Sequence, residues 1–492
     1  LGKDSTTTKG ISQMQLSHTR PVAAACFDDP NLVSAAGLVP VIALAQQSGL
    51  LTLAAEHLSV PTDKGANADR KVGSLVAGMV AGADSIADMA ILRHGAMNTL
   101  FDHPYAPSTL GSFLREFRFG HVRQLDAVAS RLLCALTEQT PVVAGIDTER
   151  VMIDIDDSII EVHGHSKQGS GYGYSGIRGL NSVITTVTTD TAAPVITGQR
   201  LRKGACGSAR GAARMIADTL TTVQRLRTAA HASSDRDVSA AQPKPLLRAD
   251  SAYFGYPTIG AAIRGGADVS ITTGLNSVIR AAIATIDDDT WTPIRYTNAI
   301  YDDTAEQWVS VAEVAEIEFT AFASQKKAHH IPGRLIVRRI PDLRPKKDQG
   351  QQQLFDVWRF HAFFTTTDPA DLDTVTADQV HRRHAIIEQV HADLKNSALA
   401  HMPSAHFCAN AAWLVCAVMA FNLTRAAATI TGDSALAKAT TGTIRQTLIS
   451  VPTRIAYSAR KITLHLPTGW PWEKQWMTLF ENTFPRNLPI AA

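Results

Sequence analysis

The stretch HRRHAIIEQVHADLK, residues 381–395, decides the fold. Placed on a helix at 100° per residue, His381, His384, Glu388, His391 and Lys395 fall within about 80° of one another. Ile386, Ile387, Val390 and Leu394 gather on the opposite side. A lone carboxylate thus stands among nitrogen bases on the polar face. Upstream, LFDVWRFHAFFTT (354–366) is rich in aromatic and β-branched residues, and Asp368-Pro369 breaks it. This predicts a buried strand that hands the chain to the helix and presents Glu388 at the end of a sheet. Taken alone, a Glu and a Lys seven apart on a helix are more often a solvated face, so the reading requires two further carboxylates, in order, on strands.

Outward from there, the bulk numbers bound the class. A chain of 492 residues is too long for one core, and its 45% hydrophobic and 19% charged residues are ordinary for a globular protein. The balance of 47 basic against 45 acidic residues carries no global sign of a nucleic-acid partner. Five cysteines without a C-x-x-C pair argue against a disulfide frame and a structural zinc site, which points to a reducing cytoplasm. No signal peptide is apparent, and the opening run LGKDSTTTKG is expected to lack structure. The longest apolar run, AAWLVCAVMAF at 411–421, is too short for a membrane span and predicts a buried helix.

From residue 31 to about 138 the pattern is helical, compatible with a helix-turn-helix reader carrying Arg115 and Arg118 or with a bundle for dimerisation. After Pro141 the period changes to alternation. VMIDIDDSIIEVHG (151–164) predicts a strand with Asp154 and Asp156 on one face and Asp157 on the other. Two more strands follow, then a helix over 208–227, the strand PLLRADSAYF, a short helix and the strand ADVSITTGL. WTPIRYTNAIYDD, EQWVSVAEVAEIEFTAFA and GRLIVRRI read as strands of a β-rich insert.

The spacing His381-x2-His384-x3-Glu388-x6-Lys395 resembles the Tyr-x2-Arg-x3-Glu-x6-Lys signature of DDE-class insertion-sequence transposases, with histidines at two of the four positions. Asp156-Asp157-Ser158 resembles that family's Asp-x-Thr on its first strand, and RADS, ending the apolar strand before Ser251, resembles the segment of the second aspartate. The resemblance implies an α/β fold: an RNase H-like mixed sheet with helices, interrupted by a β-rich insertion, plus an all-α N-terminal region and a helical C-terminal tail. The corresponding boundaries are 1–148 for the N-terminal DNA-binding or dimerisation region, 149–285 for the first part of the core and 286–353 for the insertion. Residues 354–430 complete the core with the Glu helix, and 431–492 form the tail.

The resemblance further implies Asp156, Asp250 and Glu388 as catalytic residues and metal ligands, with Asp154 in reserve for Asp156. Three carboxylates are hard oxygen donors suited to two Mg²⁺ ions, with Mn²⁺ as substitute. The implied activity is that of a metal-dependent DNA nuclease and strand transferase: a cytoplasmic bacterial protein, not membrane-bound, cutting double-stranded DNA at terminal inverted repeats as a homodimer and joining it to target DNA. The alternatives are a nuclease of the same fold without strand transfer and an inactive DNA-binding descendant. Lys395, His384 and His381 are the expected DNA contacts beside the cut. Residues 326–347 hold eight Lys and Arg, and of these Arg334, Arg338, Arg339, Lys326 and Lys327 are expected on phosphates. Trp291 and Trp308 are candidates for base stacking, although a core position is the commoner reading for either. GYGYSG at 171–176 matches a dinucleotide fingerprint but lacks a following helix, so a hairpin turn with Lys167 and Arg178 nearby is expected. His163-x-His165 has no third ligand close in sequence.

Overall fold

Ile153, Ile155 and the acid between them are all buried, so the first alternating run is covered on both faces and sits inside a sheet, not at its wet edge. The computed structural model describes residues 24–102, 104–164, 166–232, 242–302, 307–341, 358–458 and 461–484, with backbone alone at 295–302 and 307–311. The run 1–10, His165, Arg344, Lys346, Lys347 and the Trp308 side chain lie outside the described residues.

The chain opens with strand β1 (Leu32–Val33) and helices α1 (Leu38–Gln47), α2 (Leu50–His57), α3 (Ala68–Ala81), α4 (Met97–Leu100), α5 (Pro107–Arg115) and α6 (Phe119–Gln139). Strands β2 (Met152–Glu161), β3 (Gly171–Tyr172), β4 (Arg178–Thr188) and β5 (Val195–Lys203) follow, then α7 (Ala212–Ala232), β6 (Leu246–Ala249), α8 (Tyr256–Arg264), β7 (Asp268–Thr273) and α9 (Ser277–Ile283). Next come β8 (Thr292–Asp302), β9 (Gln307–Ala321), β10 (Ile331–Pro341) and β11 (Trp358–Thr365). Helices α10 (Thr374–Arg382), α11 (Ile386–Lys395), α12 (Phe407–Ile430), α13 (Ser434–Lys438) and α14 (Thr441–Ile444) precede β12 (Thr453–Ser458), β13 (Lys461–His465) and α15 (Glu473–Thr483).

The result is a mixed α/β protein. Its main sheet runs β3-β4-β2-β6-β7-β11-β10-β9-β8, with β5 also paired to β4. β6 and β7 lie parallel to β2, while β4 and β5 lie antiparallel. β11 pairs antiparallel with β7, so the strands of 286–353 extend this same sheet through β11. GYGYSG turns β3 into β4.

Helix α12 is apolar around its whole circumference, which demands cover on every side. It receives that cover from α3, α5, α6 and β5. It is the one helix among the described residues long and apolar enough by itself to cross a membrane, and 89% of its most apolar window is buried inside the fold. A continuous core links the N-terminal helices, α12 and the central strands. The C-terminal tail is not wholly helical as expected: β12 and β13 form a hairpin, and β12 pairs with β1. That strand completes its hydrogen bonds with a partner some 420 residues away in sequence, which local periodicity cannot reveal.

Asn422 on α12 closes the open edge of β5. Its amide accepts from the Ile196 N–H at 2.9 Å and donates to the Ile196 carbonyl at 2.8 Å. Asn422→Leu strands both buried groups and is expected to lower unfolding stability in urea by ~2–5 kcal/mol; a loss below ~1 kcal/mol would show the edge to be satisfied otherwise.

Candidate active site

Three elements bring the acids together: β2, the turn after β6 and helix α11. On β2 the three aspartates have different environments. Asp154 is fully buried, and both its oxygens are held by Arg248 of the neighbouring strand, at 2.8 Å from Nε and 2.7 Å from Nη2. Asp154, held in reserve as the first metal ligand, therefore has no oxygen to spare. Asp157 faces the other side, paired with Arg202 at 3.2 Å and accepting from Tyr253 Oη at 2.8 Å and from Asn181.

Asp156 differs from both. Burial pushes its carboxyl up to about 7, against a donation from the Asp157 backbone, and the nearby carboxylates of Asp250, Asp157 and Glu388 add to the rise. Asp250 caps the single 3₁₀ turn Ser251–Tyr253, accepting from Ala252 N at 3.0 Å. Its carboxyl is also raised, by its surroundings first and then by Asp157 and Glu388, while His384 opposes the rise. Glu388 lies in the first turn of α11 on its exposed face. These three acids thus lie within electrostatic reach of one another.

The expected continuous helix over 381–395 is broken. The His384 ring bonds the His381 carbonyl at 2.7 Å, a 3₁₀ turn occupies Arg383–Ala385, and α11 restarts at Ile386. A side chain that takes a carbonyl out of the helical ladder bends the axis there. The consequence corrects the placement of His381. Its ring is buried, stacks on Phe363 at 4.0 Å, and bonds Ser270 Oγ and Thr272 Oγ1 at 2.9 and 3.0 Å. Burial holds its pKa well below the usual range, so it is a neutral core group and not a DNA contact. His391 is buried as well, and its pKa is lowered to about 4 by burial; its Nε2 stands 3.9 Å from Asp156. Lys395 donates to Ser158 Oγ at 2.5 Å, which places its ammonium beside Asp156.

The arginines of β10 also need correction. Arg334 is buried, bonded to Glu316 at 2.6 Å and to the carbonyls of Thr367 and Leu372. Arg338 is buried against Asp378 at 2.6 Å. Arg339 pairs with Glu313 at 2.5 Å and lies over the rings of Trp291 and Trp358, which makes Trp291 structural. Desolvated guanidiniums with their own carboxylates are braces of the sheet, not free phosphate contacts. Lys326 and Lys327 remain exposed on the turn between β9 and β10. Lys167 and Arg178 are likewise committed to carbonyls, those of Met402 and Gly164.

The family described as "Transposase DDE domain group 1" matches residues 15–486, nearly the whole chain. The chain belongs to this family of DDE-class transposases. No curated protein matches the transposase. Among its described residues, no three His, Cys, Asp or Glu side chains stand close enough to hold a metal ion as they lie. The donor chemistry nonetheless fits a hard divalent cation: Asp156, Asp250 and Glu388 offer oxygen alone, and their mutual repulsion, visible in the raised Asp156, is what such a charge relieves.

Because folded Asp156 keeps its proton to about 7 while the unfolded chain releases it near 3.8, its favourable contribution is complete below 3.8 and is lost as pH rises to about 7. In EDTA, Asp156→Asn is therefore expected to gain stability over the wild-type transposase between pH 4 and 8, by up to ~4 kcal/mol. Urea titrations at both pH values check this, and an equal difference at the two would refute the crowding.

Proposed function

We propose that this transposase cuts DNA at the terminal inverted repeats of a bacterial insertion sequence and joins the freed 3′ ends to target DNA, by cut and paste and as a homodimer. The order in which the acids meet the sheet carries this reading. β5, β4 and β2 antiparallel, then β6 and β7 parallel to β2, is a succession that supports an RNase H-like core. Asp156 lies on the central strand of that set, Asp250 follows the adjacent parallel strand, and Glu388 arrives only after β8 to β10 and then β11, which supports reading the first three of these strands as an insertion.

Asp156, Asp250 and Glu388 would hold two divalent ions, Mg²⁺ or in its place Mn²⁺, whose chemistry when bound is to activate the attacking oxygen and stabilise the leaving one. The chain's own groups do the positioning. Lys395, fixed by Ser158, brings a positive charge to the acids' edge, where a phosphate would approach. Lys326 and Lys327 extend the cationic surface from the β9–β10 turn. His384, which lies near enough to Asp250 to lower its carboxyl, is placed to contact the backbone at the cut.

On DNA carrying the element's ends, with Mg²⁺ present, Asp156→Ala, Asp250→Ala and Glu388→Ala are each expected to abolish nicking, a loss of at least about a thousandfold, while end binding survives. Retained cleavage in any one of them sinks the assignment. Joining of pre-cut 3′-hydroxyl ends to a plasmid by the wild type checks strand transfer, and its absence would leave a nuclease.

A further inference from the structure

On the far side of β4 from the acids, α6, β5 and α7 enclose a cleft of about 440 Å³. Arg123, Arg131, Arg200, Arg214 and Arg225 line it, against two carboxylates, Asp126 and Asp218. Those two are already spent within the cleft. Arg123 bonds Asp126 at 2.6 Å and lies 3.7 Å from Asp218, and Arg214 bonds Asp218 at 2.9 Å. Gln199 adds a donation to Asp126 at 2.8 Å.

Arg131, Arg200 and Arg225 have no carboxylate within ion-pairing distance among the described residues. Among the described residues Arg131 donates only to the Ala127 carbonyl, at 3.2 Å. Arg200 is half-buried and has no hydrogen-bond acceptor among the described residues. Burial, and after it the Arg123 guanidinium, weakens its hold on a proton, so this spot disfavours another positive charge. Gathering unmatched guanidiniums in a concave, partly desolvated wall raises the energy of the empty cleft. An anion lowers it, and the planar fork of arginine suits phosphate oxygens two at a time.

The spread of the charges selects the kind of anion. Arg123 and Arg131 lie eight residues apart on α6, and Arg214 and Arg225 eleven apart on α7. At 1.5 Å per residue these are spans of roughly 12 and 16 Å. Anchors spread over such spans suit a nucleic-acid strand, with a charge about every 3.4 Å, better than a single phosphate. The cleft is also level with the acids. Asp156 pairs with Ile184 of β4, and Ile184 with Gln199 of β5, so Gln199 stands two strand spacings away, roughly 10 Å.

We propose that the arginine cleft between α6, β5 and α7 binds the sugar-phosphate backbone of duplex DNA beside the phosphate to be cut. This rests on the assignment of DNA as substrate, and it adds a second anchoring surface separate from the insert.

The test uses the full chain and a fluorescent duplex of arbitrary sequence, titrated by anisotropy across a salt series. In Arg131→Gln/Arg200→Gln/Arg225→Gln the log-log salt slope is expected to become shallower by about 2 to 3, with affinity down on the order of a hundredfold at physiological salt and evenly across sequences. The triple Arg→Lys variant, which keeps the charge, is expected to retain most of the slope, and both variants should melt as the wild type does. An unchanged slope in a normally melting Gln variant overturns the cleft while leaving the substrate assignment intact. An equal loss of slope in the Lys variant would also overturn it, by tracing the effect to packing. No binding of duplex by the wild type would remove the substrate assignment itself.

Discussion

One guanidinium, that of Arg248, sets the geometry on which the acidic site depends. It holds both oxygens of Asp154 and donates to the Val380 carbonyl at 2.8 Å, all in the interior. It thereby ties β2 to β6 and both to the last turns of α10. Asp156 lies two residues beyond Asp154, and Asp250 two beyond Arg248. Because side chains on a strand repeat every second residue, locking one pair locks the direction of the next. A buried ion pair contributes little net stability against an apolar substitute, yet breaking it by removing one partner costs about 3–5 kcal/mol. Its value here is registration, since a slip of either strand would turn an acid away from the others.

The same economy explains why the three β2 aspartates differ so much. Asp154 and Asp157 each have an arginine, and each serves as a tie between strands. Asp156, between them in sequence, has no arginine of its own: its neighbours are a neutral imidazole, the carboxylates of Asp250, Asp157 and Glu388, and the Lys395 ammonium held by Ser158. A residue left in that condition strains the fold, and the surrounding ties must offset it.

Much of this was legible in the sequence. The change from helical to alternating period at Pro141, Asp250 following an apolar strand and the glutamate on an amphipathic helix survive as described elements, while Asp156 lies in the middle of β2 and not at its end. What failed did so for identifiable reasons. A helical wheel assumes an unbroken axis, and the bond from His384 to the His381 carbonyl breaks it, which turned His381 from a surface base into a core ring. The arginines of 334–339 looked like a phosphate-binding run because charge counted along one strand omits the neighbouring strand. The signal was present in AEVAEIEF: Glu313 is cross-strand from Arg339, and Glu316, opposite Ile336, lies two pairs along from Arg334 on the same face. Acids spaced along one strand and arginines along the next describe a ladder of pairs. The hairpin formed by β12 and β13 had no comparable signal, because what fixes it is β1 at the other end of the chain.

The turn between β9 and β10 also bears on the acids more directly than through its charge. Phe322, in the turn after β9, has φ 60, a left-handed conformation that costs a residue with a side chain roughly 1–2 kcal/mol. That turn lays Phe322 against Phe254 and Tyr256, with ring centroids 5.3 and 6.1 Å apart, and stacks His329 on Tyr256 at 3.9 Å. Phe254 and Tyr256 follow Asp250 by four and six residues, while Tyr253, just before them, is anchored to Asp157 from within the core. The loop bearing Asp250 is therefore gripped from two sides, by β2 and by the β9–β10 turn. A turn that merely carried cations on its surface would not require a strained aromatic residue at its base. One that holds Asp250 in place does, and the strain is offset by the rings it brings into contact.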